Sequence, residues 1–243
     1  MSAEWAELDD EGWRLYSGAH RLLLRLAGQL PDELLTRGRT MLAVGDLPYL
    51  PDTLIVAAVE HGVPLTPEEL GLLRELFAAL GIEGDPAGAD LVTTTETTPA
   101  TGHRFSPEAA EPARVPAGLD LAGGVPREFA DLADELFDLT DHLVVDALSE
   151  HEGVLSVLRA WRSGPDGPGT PQGLEGQGPE RWRRVYLAEV DPGVMAWELT
   201  LEAQTELLQL GEAEPQVEIH WTGDDLPPYH RAAREAATVL WRR

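Results

Sequence analysis

The stretch QVEIHW, residues 216–221, decides the fold of this chain. Val217, Ile219 and Trp221 alternate with polar residues, and a period of two is typical of a strand with one face in the core. We therefore expect a sheet in the C-terminal part of the chain. The three apolar side chains should lie in its core, and their polar neighbours should lie on the opposite face.

Working outward from this strand, two more apolar runs with strand character precede it, and helical patterns surround them. The order is helix, strand, strand, helix, strand, helix. Three strands with helices on one face are the simplest assembly of these elements, so residues 125–243 predict an α+β domain. The predicted helices cover 126–149, 195–210 and 227–243, and the predicted strands cover 154–162, 183–190 and 216–221.

Residues 1–83 show helical periodicity throughout and predict a compact antiparallel bundle of four short helices. The first two cover 19–30 and 31–44, and the third follows Asp52 and ends at His61. The fourth begins with Thr66-Pro67-Glu68-Glu69, in which Thr66 is the N-cap and Glu69 stands at the capping-box position.

Residues 84–124 differ from both neighbouring regions because they are rich in Pro, Thr and Gly and have neither helical nor strand periodicity. This composition predicts a flexible, partly extended linker of roughly forty residues between the bundle and the α+β domain.

The composition excludes several chemistries. The chain has 43 acidic and 18 basic residues, all of the latter Arg, and its net charge is −25. It contains no Cys, which excludes thiol nucleophiles, disulfides and iron–sulfur sites. It contains no Lys, which excludes a Schiff base and a P-loop lysine. Because phosphate would be repelled, we expect no nucleic-acid partner.

The first residues lack the pattern of a signal peptide, and no run of apolar residues is long enough to span a membrane. We therefore expect a cytoplasmic protein without a membrane partner. Lys and Asn are absent and Ile occurs only three times. These amino acids have AT-rich codons, so we infer a GC-rich genome, most simply that of an actinobacterium.

An acidic stripe follows the predicted helix 126–149 at spacings of three and four, opposite its apolar face. Such a stripe can bind a basic protein partner or collect divalent cations, and it is also typical of a solvated helix face. His142 adds half of a metal site, but no third ligand completes it, so we expect no metal. The stripe consists of Glu128, Asp131, Glu135 and Asp138 and continues to His142 and Asp146.

A second candidate site is the polar face of the predicted sheet. If Val185 and Leu187 join the core, Arg184 and Tyr186 share the outer face with Glu218 and His220. Arg, Tyr and His are common in binding interfaces, so this face could hold a protein, a small ligand or a second copy of the chain. Helices or solvent could equally cover it.

Motifs of catalytic sites are missing: there is no GxSxG, no GxGxxG and no GxxxxGK[ST]. We therefore expect a non-enzymatic, acidic interaction protein, such as an adaptor, a regulator or an immunity-type inhibitor, without a cofactor. It would bind a protein partner with a basic surface, and a homodimer is a further option. The alternative is an enzyme or small-molecule-binding protein of unfamiliar type that uses His220, Glu218, Tyr186 and Arg184.

Two stretches invite comparison with known families. The C-terminal run PQVEI at 215–219, with LPPYHRAA at 226–233 and LW at 240–241, resembles a pattern of conserved actinobacterial proteins of unknown function, and this resemblance implies no activity. The helix–GVPLTP–helix arrangement in the N-terminal part resembles a helix-turn-helix. We reject that interpretation because its second helix begins with two glutamates, where a DNA-reading helix needs basic or amide side chains.

Overall fold

A computed structural model of the chain describes residues 8–97, 101–108, 130–164 and 182–243, with the side chains of 130–138 left out. The described elements combine helices with one mixed sheet, so the α+β class is confirmed. The helices are α1 (Asp10–Leu26), α2 (Asp32–Ala43), α3 (Leu50–Glu60), α4 (Pro67–Ala79), α5 (Ala130–Ser149), α6 (Ala196–Gln209) and α7 (Pro228–Ala236), with a 3₁₀ turn at Leu47–Tyr49. The strands are β1 (Arg104–Ser106), β2 (Val154–Ser163), β3 (Arg183–Val190), β4 (Gln216–Trp221) and β5 (Thr238–Arg242).

Within the described residues, the sheet has five strands rather than the predicted three. Its order is β1-β2-β3-β4, and β5 lies beside β1 along the same edge of β2. β2 pairs antiparallel with β1, β3 and β5, whereas β3 and β4 are parallel and are connected through α6.

The two additional strands lie where the sequence predicted other structure. β1 falls inside the predicted linker, and β5 replaces the end of the predicted last helix. α7 ends because Ala237 adopts an extended conformation, with φ −77° and ψ 151°. The residues that follow it include Val239 and Trp241, which favour a strand.

Helices lie on both faces of the sheet, so the predicted one-sided arrangement is wrong. Tyr186, Ala188 and Ile219 pack in one cluster with Trp197 of α6, and we call this side the α6 face. Leu187 packs in a second cluster with Ala233 of α7, and we call this side the α7 face. A sheet with both faces covered buries almost every side chain of its central strands.

Three of the four N-terminal helices form close to their predicted bounds, whereas α1 begins nine residues before the predicted range 19–30 and ends four residues before its end. The capping box at the start of α4 is confirmed. The side chain of Thr66 accepts from the backbone N–H of Glu69, and the side chain of Glu69 accepts from the backbone N–H of Thr66. α1 packs against α2 and α4, and both α1 and α2 also pack against α6. One apolar cluster therefore contains residues of the helices and of the sheet.

Part of the predicted linker is among the described residues. Leu65 donates its backbone N–H to the carbonyl of Thr93 (3.0 Å) and accepts from the N–H of Thr95 (2.9 Å), and Ala89 is buried. Residues 84–97 therefore pack on the N-terminal helices. Among the described residues, no helix is both long enough and apolar enough to cross a membrane.

Candidate functional site

The four residues predicted to share an open sheet face lie on opposite faces. Tyr186 stands beside Val217, and Leu187 stands beside Glu218, in the parallel register of β3 and β4. Arg184 and Tyr186 therefore belong to the α6 face, while Glu218 and its neighbour His220 belong to the α7 face. The predicted phase of strand 183–190 was wrong by one residue.

All four of these side chains are buried. The exposed fractions are 5% for Arg184, 1% for Tyr186, 0% for Glu218 and 2% for His220. Helices cover both faces, so the open polar face that the sequence predicted does not exist. The four residues contribute instead to buried polar networks, whose partners come from distant parts of the chain.

Glu218 is the centre of the first network. Both of its carboxylate oxygens accept from Nη2 of Arg39 at 2.7 Å, and Oε2 also accepts from Nε2–H of His230 at 3.1 Å. Burial alone would raise the pKa of Glu218, but the Arg39 charge and the His230 hydrogen bond outweigh burial and lower it to about 2. Glu218 is therefore a buried carboxylate that is fully ionised near neutral pH.

Arg39 is the residue of this network that the sequence reasoning missed. It also donates from Nη1 to Oε1 of Gln216 at 3.3 Å, which links α2 to the start of β4. The sequence pattern of α2 could have identified Arg39 as a buried residue, because Leu35, Arg39 and Leu42 follow each other at spacings of four and three. A single charge on the buried stripe of a helix indicates a buried partner.

A second network on the α7 face is built around Arg162. Its guanidinium is paired with Asp32 at the start of α2, and Nη1 donates to the hydroxyl of Tyr229 at 3.1 Å. Burial works to lower the pKa of Arg162, but Tyr229 and Asp32 outweigh it and the pKa is raised. Arg183 also contacts Asp32, at 3.2 Å, so one carboxylate serves two arginines.

The α6 face has its own polar cluster, below α5. The Tyr186 hydroxyl donates to Oδ1 of Asp141 at 2.7 Å and accepts from Nη1 of Arg184 at 3.3 Å. Arg159 pairs with the other oxygen of Asp141. Burial raises the pKa of Tyr186 well above its usual value. This cluster holds α5 on β2 and β3.

Besides His230, two more buried histidines among the described residues lie around β4. Nε2–H of His20 donates to the carbonyl of Ile219 at 2.6 Å, and burial lowers the pKa of His20 to about 4. Burial, followed by the charge of Arg234, lowers the pKa of His220. Neither ring nitrogen of His220 has a hydrogen-bond partner among the described residues. These imidazoles are neutral near pH 7, and they are sealed from solvent.

The acidic stripe of α5 is only partly described. Glu128 and the side chains of Asp131, Glu135 and Asp138 lie outside the described residues, so the structure does not test their role. The continuation of the stripe is exposed, at His142 and Asp146.

α6 carries a second acidic stripe, which the sequence reasoning missed although the spacing of four is plain. Its members are Glu198, Glu202 and Glu206. α5 and α6 pack side by side, and Nε2 of His151, just after α5, lies 2.8 Å from Oε2 of Glu202. Asp146 and these glutamates thus lie on neighbouring helices that cover the α6 face. We call Asp146 with these three glutamates the acidic layer.

The two helices that carry the acidic layer lack arginine, a property that they share with residues 44–60. The described residues give Asp146 and Glu206 no arginine partner. Elsewhere among the described residues, at least ten arginines form ion pairs with Asp or Glu. These are Arg14, Arg21, Arg25, Arg39, Arg74, Arg159, Arg162, Arg183, Arg231 and Arg234.

Within the part of the chain that the structure describes, no group of three or more His, Asp or Glu side chains could hold a metal ion. Comparison of the chain with protein-family models, with curated proteins and with solved structures gave no match. A function must therefore be inferred from the geometry of the molecule itself.

Proposed function

We propose that this chain is a non-enzymatic cytoplasmic interaction protein that binds a protein partner with a basic surface through the acidic layer. Such a protein acts as an adaptor, a regulator or an inhibitor of its partner. The observation that carries the proposal is the separation of charge: arginines are paired with carboxylates elsewhere in the fold, while α5 and α6 contain none.

Two of the four carboxylates of the acidic layer are available to a partner. Asp146 and Glu202 are exposed, and the only basic side chain near Glu202 is a histidine within the described residues. A net charge of −25 adds a long-range field of the same sign. Complementary charge of this kind accelerates association with a basic partner and repels a second acidic copy.

Apolar contacts on the same helices support a protein partner over small cations. Leu139 of α5 is 40% exposed and Leu208 of α6 is 45% exposed. Protein interfaces combine such apolar side chains with a charged rim, and the apolar part supplies most of the affinity. A layer of carboxylates without exposed leucines would instead favour loosely held small cations over a protein partner.

The alternative of an enzyme or a small-molecule site on the sheet has no observation in its favour. It needs Arg184, Tyr186, Glu218 and His220 on one accessible face, whereas they are buried on two opposite faces. Their hydrogen bonds and ion pairs hold helices on the sheet.

The experiment that tests the proposal compares three baits in affinity capture followed by mass spectrometry and by Kd measurement with the captured partner. The baits are the native chain, Asp146→Arg with Glu202→Arg, and a control with Glu96→Arg and Glu108→Arg in exposed loops. Both variants change the net charge equally. We expect the first variant to weaken binding at least about tenfold and the native affinity to fall with salt. Equal affinity of all three baits, or binding that salt leaves unchanged, would remove the acidic layer from the account.

A further inference from the structure

A group of exposed apolar side chains lies at the corner formed by the end of α2, the 3₁₀ turn, α3 and residues 86–91. The members are Val44 (52% exposed), Tyr49 (62%), Val56 (40%) and Leu91 (66%). We call them the α3 patch. Single exposed apolar residues are ordinary, whereas a group of them on connected elements marks an interaction site.

The helical geometry places Tyr49 and Val56 on one line. They are seven residues apart, which at about 100° per residue brings them to within about 20° of each other around α3. Leu54 and Ala58 occupy the other side of α3 and are buried at 1% each. Tyr49, the N-cap residue of α3, and Val56 therefore lie about 10 Å apart along the outward side of the helix, with Asp52 and Thr53 between them on the same side.

Residues 86–91 widen this surface. The backbone N–H of Ala87 donates to Oδ1 of Asp52 at 2.8 Å, which fixes this segment against the flank of α3. At Gly88, an added Cβ would stand 3.6 Å from Cγ2 of Ile55, so the backbone passes close to the helix. Leu91 closes a turn back to Gly88, with its N–H 2.9 Å from the Gly88 carbonyl. Leu91 thus extends the apolar surface to one side of α3.

The rim of the α3 patch is acidic. Residues 44–60 and 83–91 contain no Arg. Their acidic members are Asp46, Asp52, Glu60, Glu83, Asp85 and Asp90, of which Asp85 pairs with Arg74 at 3.1 Å. An apolar strip between carboxylates complements a helix that has an apolar face bordered by Lys or Arg.

We propose that the α3 patch binds a cationic amphipathic helix of a partner protein. The apolar face of that helix lies over Tyr49, Val56 and Leu91, and its basic side chains reach Glu60 and Asp90. α2 packs against both α6 and α3, so this surface and the acidic layer lie on different elements. The inference goes beyond the proposed function and does not depend on it.

The test uses a synthetic probe, a peptide of about fourteen Leu and Lys residues in a helical pattern with all leucines on one face. A second peptide of the same composition distributes the leucines around the helix. Binding to the full chain is measured by isothermal titration calorimetry at low and at high salt. We expect the amphipathic peptide to bind more tightly than the rearranged one, with an affinity that falls as salt rises.

Variants of the protein locate the site. Tyr49→Gln with Val56→Gln should raise the Kd of the amphipathic peptide about tenfold, because it removes the apolar anchors without changing charge. Val239→Gln removes an exposed valine from β5, outside both proposed surfaces, and should leave the Kd unchanged. Leu139→Gln with Leu208→Gln reports whether the peptide binds α5 and α6 instead. Thermal melts followed by circular dichroism should show that all three variants are folded, as expected for exposed positions.

Three outcomes would overturn the inference. Equal binding of the two peptides would show that only charge is recognised. Loss of binding in the Leu139 and Leu208 variant alone would move the apolar site to α5 and α6, which would support the proposed function and not the α3 patch. A native chain that dimerises in sedimentation experiments, and becomes monomeric in the Tyr49 and Val56 variant, would make a second copy the occupant.

Discussion

The α7 face of the sheet and the acidic layer both contain several carboxylates, but their neighbours differ. On the α7 face, Glu218 and Asp32 each contact at least one buried arginine. In the acidic layer, Asp146 and Glu206 have no arginine partner among the described residues. A single acidic chain thus contains carboxylates that hold the fold together and carboxylates that the fold leaves to solvent.

The difference shows that burial, and not residue type, decides what a charge does in this molecule. A buried carboxylate without its cation would be strongly destabilising, so Glu218 needs Arg39 for the fold to form. An exposed carboxylate keeps its water and contributes to long-range attraction instead. Substitutions of the buried charges should therefore change the free energy of unfolding, whereas substitutions of the exposed charges should change binding.

The largest effect is expected from breaking the buried pair. Arg39→Met leaves Glu218 ionised and buried, which should lower the free energy of unfolding by about 3–5 kcal/mol. Urea unfolding at neutral pH, followed by circular dichroism, measures this loss. Adding Glu218→Gln to the same chain should restore part of the stability, because the uncompensated charge is then gone.

The control for this prediction is Arg14→Met. Arg14 pairs with Glu75 at 2.7 Å, close to the distance of the buried pair, but the two side chains are 56% and 55% exposed. An exposed ion pair contributes about 0–1 kcal/mol. If the two arginine substitutions cost the same, the distinction between buried and exposed charge would fail.

The sequence could predict much of the fold but not the pairing of these charges. β3 and β4 were predicted with the bounds that the structure shows, and the capping box of α4 was predicted at the residues that form it. The sequence did not predict which side chains of β3 lie on which face of the sheet, because a strand buried on both faces has no alternation that tells one face from the other.

The prediction of an open polar face on the sheet was wrong for a related reason. Glu218 and His220 have polar side chains at alternating positions, which the sequence reasoning assigned to an open face. The burial of Glu218 depends on Arg39 and His230, which stand 179 and 12 residues away from it. The spacing of Leu35, Arg39 and Leu42 indicates that Arg39 has a buried partner, but no local pattern identifies that partner as Glu218. The glutamates of α6, by contrast, could have been found from their spacing alone.

A smaller effect is expected from pH, through the buried His20. Its pKa is lowered from 6.5 in the unfolded chain to about 4, by burial first and by the charges of Arg39 and Arg21, with Glu218 and the Ile219 carbonyl opposing. A lowered histidine pKa stabilises the fold fully above pH 6.5, and this contribution is lost as pH falls toward 4. We expect the loss between about pH 7 and pH 5 to be about 2 kcal/mol for this residue.

Urea unfolding at these two pH values tests the histidine prediction in the native chain and in His20→Gln. The variant keeps a hydrogen-bond donor but cannot be protonated, so its stability should fall less on acidification. His103 and His220, whose pKa values burial also lowers, should leave a remaining dependence in both chains. Identical pH profiles would show that His20 is accessible to protons in the folded protein.

A third effect should come from the α6 face. Tyr186→Phe removes the hydroxyl that donates to Asp141 and accepts from Arg184, while Asp141 keeps Arg159. We expect a loss of about 1 kcal/mol in the free energy of unfolding, the usual net contribution of one hydrogen bond. Tyr49→Phe, at a side chain that is 62% exposed, is the matched control and should change nothing measurable. A loss above about 3 kcal/mol would indicate that the whole cluster depends on this hydroxyl.

The smallest effect on stability should come from the acidic layer, although the effect on binding there should be large. Asp146→Arg with Glu202→Arg replaces two exposed carboxylates in a chain of net charge −25. Within the described residues, it removes the contact between Glu202 and His151, and the side chain of His151 is 40% exposed. We expect the free energy of unfolding to change by less than about 0.5 kcal/mol, because surface substitutions away from buried partners are nearly neutral. A lower net negative charge favours a small increase in the free energy of unfolding of the variant, since fewer like charges then repel one another. Added salt should reduce this increase by screening the charges. Thermal unfolding at low and high salt, run beside the control with Glu96→Arg and Glu108→Arg, measures the change in stability and its dependence on salt.

A loss of several kcal/mol in the first variant alone would mean that Asp146 or Glu202 has a role inside the fold, and the contrast between the acidic layer and the α7 face would disappear.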